Sequence, residues 1–160
     1  MAKTITHDLV YDAPLERVAA MLADPAFREE VCDFQGVLRR TVTITDEADG
    51  RHVTIDQVQP AAGIPSFAAR FVGDEINIVQ KEIWHSDADA DIFVEIPGKP
   101  GDMKGGARLV ENGGTTTETV TLTVKVGIPL VGGKIEGLIA EMLVKALRAE
   151  NKVGVSWLLR

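Results

Sequence analysis

The stretch from Pro129 to Trp157 constrains this chain more than any other. Val131, Ile135, Leu138, Ile139, Met142, Ala146, Ala149, Val153 and Trp157 recur at helical spacing, while Lys134, Glu141, Lys145, Arg148 and Lys152 take the opposite side. This predicts a long amphipathic helix, opened by Pro129 after Gly127-Ile128. So long an apolar stripe must be covered by a surface of similar extent.

The remainder of the chain supplies such a surface. Residues 4–11 alternate, with Ile5, His7, Leu9 and Tyr11 on one side and Thr6 and Asp8 on the other. Residues 37–45 and 51–59 are rich in Val, Thr and Ile and flank an Asp49-Gly50 turn, a hairpin signal. Further strands are expected at 76–86, 90–96, 103–111 and 116–126. In the last, Val120, Leu122, Val124 and Val126 face one way and Thr119, Thr121, Thr123 and Lys125 the other. One face is apolar and one wet, as antiparallel sheets allow.

Two short helices interrupt the strands near the start. Asp12 offers an N-cap and Pro14 a first turn before Leu15, Val18, Ala19 and Leu22. Asp24-Pro25 repeats the device for a helix to about Asp33, ending before Gly36. Gly63 to Gly73, with Pro65, Phe67 and Phe71, reads as a loop or short helical excursion over the core, its Pro65 to Gly73 part a candidate lid.

The expected class is therefore α+β: a curved antiparallel sheet of about seven strands wrapped around a long C-terminal helix, in one domain spanning 1–160. There is no internal repeat. A chain of 160 residues with 45% hydrophobic content buries roughly 70% of its unfolded surface, enough for a core without metals or disulfides.

Charge narrows the function. Lys and Arg number 17 against 24 Asp and Glu, a net of −7, which argues against nucleic acid as a partner. The C-terminal segment from Lys134 carries five basic residues against three acidic ones, too weak a bias for an anionic membrane. Cys32 is the single cysteine, so no intrachain disulfide forms and a reducing compartment is the simplest home. Met1 to Asp8 lacks an apolar export region, and no run approaches the ~20 apolar residues of a membrane span. A cytoplasmic protein without integral membrane association is expected.

Several motifs resemble one family. They are Tyr11-Asp12-Ala13-Pro14, Asp24-Pro25-Ala26-Phe27-Arg28-Glu29-Glu30-Val31-Cys32, Ile64-Pro65, Phe71-Val72-Gly73, Glu82-Ile83-Trp84, Pro97-Gly98-Lys99-Pro100, Pro129 to Glu136 and Trp157-Leu158. Together they resemble the START-like superfamily of lipid-transfer proteins, polyketide cyclases and plant pathogenesis-related allergens, and most closely an uncharacterised bacterial branch of it, a domain of unknown function. The resemblance spans essentially the whole chain. It implies the helix-grip fold and a cavity between sheet and long helix for a lipid, isoprenoid or polyketide-like molecule. None of these motifs is a catalytic set.

The residues add one hint of their own. Gly133, Gly137, Ala140 and Val144 form a small-residue edge on the long helix, and glycine costs about 1 kcal/mol there relative to alanine. The edge fits a cavity wall or close packing of helix on sheet, equally well.

Catalytic constellations are sparse. Gly133-Lys134 is followed by Ile135, so a Walker loop lacks its hydroxyl and its glycine spacing. His7, His52 and His85 lie in separate strands with no metal-ligand spacing, and no metal or cofactor is expected. Only three serines occur, none in a nucleophile elbow. Cys32 beside Val31 reads as a packed thiol. Two carboxylates are of more interest. Glu82 shares the inward face of its strand with Ile76, Ile78, Gln80 and Trp84, and Glu150 adjoins the apolar stripe near Ala146 and Val153. In an apolar pocket either would have a raised pKa. The plainer expectation pairs Glu82 with Arg40 or Arg70 and lets Glu150 snorkel to water.

These observations favour binding or transport of an apolar small molecule over catalysis, with Phe67, Phe71, Trp84, Leu138, Met142 and Ala146 as candidate cavity residues and Glu82 as a polar group within it. A cyclase- or hydrolase-type enzyme acting on a polyketide-like substrate is the alternative. A protein-interaction module with a collapsed cavity is the third reading.

Overall fold

A computed structural model describes residues 2–160. The alternating segments become strands: β1 (Ala2–Tyr11), β2 (Arg39–Glu47), β3 (Gly50–Pro60), β4 (Glu75–Ser86), β5 (Asp89–Glu95), β6 (Asp102–Asn112) and β7 (Thr115–Lys125). They form one antiparallel sheet in the order β1-β7-β6-β5-β4-β3-β2. Alternation decides the faces. Val120, Leu122 and Val124 are buried, while the opposite parity carries a threonine ladder in which Thr4 and Thr123 hydroxyls lie 2.9 Å apart.

The helices are α1 (Leu15–Leu22), α2 (Pro25–Phe34), α3 (Ser66–Val72) and α4 (Gly132–Leu158). The excursion between Gly63 and Gly73 is thus a short helix. At α2 the expected cap forms: Asp24 accepts from the Ala26 N–H at 2.9 Å, with Pro25 in the first turn. At α1 it does not. The helix starts one step beyond Pro14, and its first free N–H, on Leu15, is satisfied by Glu111 Oε1 of β6 at 2.7 Å. A distant carboxylate replaces the local Asp12, which no local pattern announces.

The long helix likewise begins at Gly132 rather than Pro129. Pro129 and Leu130 turn instead, with Leu130 fully exposed at φ 73°. Gly132 lets α4 start hard against the sheet, because a Cβ there would stand 2.5 Å from the Val126 carbonyl oxygen. One turn on, buried Glu136 accepts the Val126 N–H at 2.8 Å. These two contacts fasten the head of α4 to the chain just past β7.

From there α4 crosses the inner face of the sheet, packing most extensively on β1, then on α2, α1 and β7. The core runs from Leu9 and Tyr11 through Val18, Phe27, Val53, Ile92 and Leu109 to Val120, Leu122 and Val153. Phe27 and Trp157 meet edge-on with ring centroids 5.6 Å apart. Because α4 leans on the β1 side, the inner faces of β3, β4 and β5 are less closely covered. No helix among the described residues is long and apolar enough to cross a membrane.

Candidate functional site

A cavity lies where α4 stands away from the sheet. Its walls are apolar: Val31 and Cys32 of α2, Ile55 of β3, Ile92 of β5, Val120 and Leu122 of β7, and Leu143, Ala146 and Leu147 of α4. Its polar lining consists of Arg28, Gln35, Gln57, Gln80 and Glu150. The volume is about 60 Å³, well short of the ~150 Å³ of an engineered cavity that takes up benzene.

Arg28 organises the polar end. It sits on the inner face of α2 between Phe27 and Val31, only 2% exposed. Its Nε donates to the Leu22 carbonyl at 2.8 Å, tying the end of α1 to α2. Nη2 donates to Glu82 Oε1 at 2.7 Å and Nη1 to Glu82 Oε2 at 3.0 Å, a two-pronged grip. Nη1 also reaches Glu150 Oε1 at 3.2 Å. Glu82 further accepts from the Trp84 indole N–H at 2.8 Å and from Gln80 Nε2. With four donors on it, Glu82 is fully committed to the protein's own groups.

The plainer expectation for these carboxylates is overturned. Glu82 pairs with Arg28, whereas Arg40 binds Glu29 and Asp33 on the surface and Arg70 stacks over Phe71 at 4.9 Å. Glu150 does not snorkel; it is buried and faces Arg28. The reason is topological: α2 folds across the end of the sheet and delivers a cation that parity within β4 could not reveal.

A third carboxylate completes the cluster. Glu118 of β7 is buried on the same face as Val120, and its Oε1 has no hydrogen-bond partner among the described residues. Nor has the hydroxyl of the fully buried Tyr11. Burial, reinforced by the neighbouring Glu150, raises the Glu118 carboxyl well above its usual range. Burial also pushes Glu150 up to about 7, with Arg28 opposing and Glu82 assisting. The Tyr11 phenol is raised by burial and by both glutamates. Burial works against the Arg28 charge, yet Glu82 and Glu150 more than offset it and raise its pKa. The Cys32 thiol is pushed up to about 11 by burial, which leaves it a poor nucleophile.

The sequence-selected residues are dispersed. Ala146 lines the cavity. Trp84 orients Glu82 and borders a separate hollow of about 10 Å³ with Ala19, Leu22 and Arg51. Phe67 and Phe71 are half-buried on α3, with Lys134 Nζ 6.0 Å from the Phe67 ring, near the head of α4. Leu138 and Met142 are half-buried along α4. The small-residue edge is not close packing at Gly133 or Gly137, where a Cβ would meet nothing within 4 Å. Close packing falls instead on Gly154, where a Cβ would stand 2.6 Å from Tyr11 Cε1.

Arg28, Glu118, Gln57 and Tyr11 were not among the selected residues. A signal for two of them exists. Glu118 continues the inward parity of Val120, Leu122 and Val124, and Arg28 interrupts the apolar face made by Phe27, Val31 and Cys32.

An open antiparallel sheet gripping a long C-terminal helix, with a cavity between them, defines the helix-grip fold of START-like proteins. The family model described as "Protein of unknown function (DUF2505)" matches residues 6–158, and the chain belongs to that family. No curated protein matches the sequence. Among solved structures, the chain is similar to TTHA0849 from Thermus thermophilus, at 18% identity and TM-score 0.67 over 96% of this chain and 98% of that one. It is also similar to the Zhui aromatase/cyclase from Streptomyces sp. R1128, at 14% identity and TM-score 0.69 over 98% and 93%. A third is norcoclaurine synthase from Thalictrum flavum in complex with dopamine and hydroxybenzaldehyde, at 15% identity and TM-score 0.63 over 98% and 88%. At these identities the likeness establishes the fold.

Proposed function

We propose that this protein binds an apolar small molecule between the sheet and α4. The observation that carries the proposal is a cavity with apolar walls contributed by α2, α4 and three strands and a small number of polar groups, Arg28 and Glu150 among them, in its lining. The fold relatives named as an aromatase/cyclase and as a synthase bound to dopamine and hydroxybenzaldehyde support a small-molecule role for the same architecture. Ligand pockets usually enclose roughly 300–1,000 Å³, so occupancy requires α4 to move outward from β3–β5, where its packing is thinnest.

Native mass spectrometry of the protein as purified from cells, followed by organic extraction, tests this. A defined apolar molecule at near one per chain is expected. An empty protein that also ignores a panel of apolar probes would overturn the proposal and favour an interaction module with a collapsed cavity.

Catalysis on the bound molecule is a second reading, favoured by Glu150, a cavity-lining carboxyl pushed up to about 7. Glu82, the group singled out from the sequence, has its acceptor positions filled, so Glu150 is the better acid/base candidate. Turnover of a polyketide-like substrate that survives Glu150→Gln would exclude that role.

A further inference from the structure

The polar end of the cavity is unbalanced in its ionisable groups. One cation, Arg28, faces three carboxylates, Glu82 of β4, Glu118 of β7 and Glu150 of α4. The other titratable groups there are Tyr11 of β1 and Cys32 of α2, neither of which supplies a positive charge. The β3 and β5 strands contribute Gln57, Ile55 and Ile92 to the lining.

Arg28 is nearly spent, with one N–H on Nη2 left over. Four hydrogen bonds leave it, one to Leu22 and three to glutamates. An anionic ligand would find no unpaired cation, and it would set its charge against carboxyls that already hold their protons for want of one. Glu150 Oε1 has a single contact, at the far reach of Arg28 Nη1. Gln80 turns its amide nitrogen to Glu82 and keeps an oxygen as acceptor at the cavity lining. Behind them Glu118 Oε1 is sealed from solvent with no partner among the described residues, on the cavity face of β7 two places before Val120. Buried polar atoms are almost always satisfied, so this orphaned oxygen, near the equally unpartnered Tyr11 hydroxyl, marks a missing polar partner.

We infer that the inner end of the cavity is a subsite for the protonated amine of an otherwise apolar ligand, its charge taken by Glu150 with Glu118 behind it. The ammonium brings three donors and no acceptor, complementary to a site rich in acceptors. It also supplies the counter-charge that lets Glu150 and Glu118 ionise, which Arg28 alone does not provide. This inference rests on the ligand-binding proposal above and specifies its chemistry. The raised Glu118 and Glu150 carboxyls fit it, since burial there is opposed by no cation other than Arg28.

The test is calorimetric titration of the whole protein at neutral pH with octylamine and with octanol, which match in length and differ in head group. Octylamine is expected to bind about ten- to a hundredfold more tightly, the worth of a charge-assisted hydrogen bond. Glu150→Gln and Glu118→Gln are each expected to reduce that preference, and the exposed Glu141→Gln on α4 to leave it unchanged. Equal affinities for the two probes in the native protein would overturn the inference while leaving the binding proposal standing. A preference that Glu141→Gln erodes as much as Glu150→Gln would also overturn it, since the attraction would then be to surface charge. If neither probe binds, the amine inference falls, while the binding proposal is decided separately by the mass spectrometry and the wider panel of apolar probes.

Discussion

Arg28 and Glu82, 54 positions apart in sequence, meet through two parallel hydrogen bonds of 2.7 and 3.0 Å, with both side chains almost wholly removed from solvent. The pair joins α2 to the middle of the sheet and, through Glu150, to α4. Three elements that share no local sequence signal are thereby registered on one guanidinium.

Removing that guanidinium leaves buried carboxylates without a cation. Arg28→Met is expected to destabilise the fold by about 3–5 kcal/mol, as breaking buried ion pairs does elsewhere. Adding Glu82→Gln to the same chain should recover part of the loss, because the stranded charge is then gone. Urea unfolding of the wild type and both variants measures this. An Arg28→Met protein as stable as wild type would show that the cluster is held by something other than its charge pairing.

The raised carboxyls make stability depend on pH in a definite direction. The folded state holds the Glu150 proton more tightly than the unfolded chain does, up to about 7 against an ordinary 4.5. That contribution is complete below about 4.5 and is lost as pH rises through about 7. Glu118, raised by burial, acts in the same sense. The exposed Asp33 and Asp49, lowered by hydrogen bonds to Arg40 and His52, act oppositely, and only as pH falls below their ordinary 3.8. Thermal melts of the unliganded protein should therefore show stability declining from mildly acidic to neutral pH. Glu150→Gln should flatten that decline; an unchanged slope in the variant would remove Glu150 as its source.

Glycines of α4 should respond in opposite directions. Gly154→Ala places a methyl 2.6 Å from Tyr11 Cε1 and 3.1 Å from Met21 Cε, an overpacking expected to cost about 1–3 kcal/mol. Gly137→Ala meets open space and should stabilise by up to about 1 kcal/mol through helix propensity. Melting temperatures of the two variants give the comparison. Equal shifts would contradict the packing of Tyr11 on bare backbone.

Ala146 faces the cavity between Leu143 and Leu147. Ala146→Trp is expected to fill the space and abolish uptake of apolar probes while the protein remains folded by circular dichroism. Undiminished binding in a folded variant would move the ligand elsewhere.

Much of the architecture was legible from local periodicity. Period-two alternation located the strands, the Asp49-Gly50 turn joined β2 to β3, and the stripe from Val131 to Trp157 fixed the long helix and its need for a partner. These are properties of neighbours in the chain, and geometry within a single helix or strand imposes them. The candidate site was legible only in part. Parity could bring Glu118 to the inner face with Val120, and could set Gln80, Glu82 and Trp84 on one side of β4. It could not say which cation would meet them.

Tertiary structure decided the rest. Arg28 rather than Arg40 reaches Glu82 because α2 lies across the end of the sheet. Glu111 caps α1 because β6 ends beside it. Gly132 and Gly154, rather than Gly133 or Gly137, are the glycines that packing demands, because Val126 lies against the first and Tyr11 of β1 against the second. The sequence alone determined which faces are apolar and therefore that a sheet must grip a helix. Only the folded chain decided which charges share a cavity, because that depends on contacts between residues far apart in sequence, and no local period encodes them.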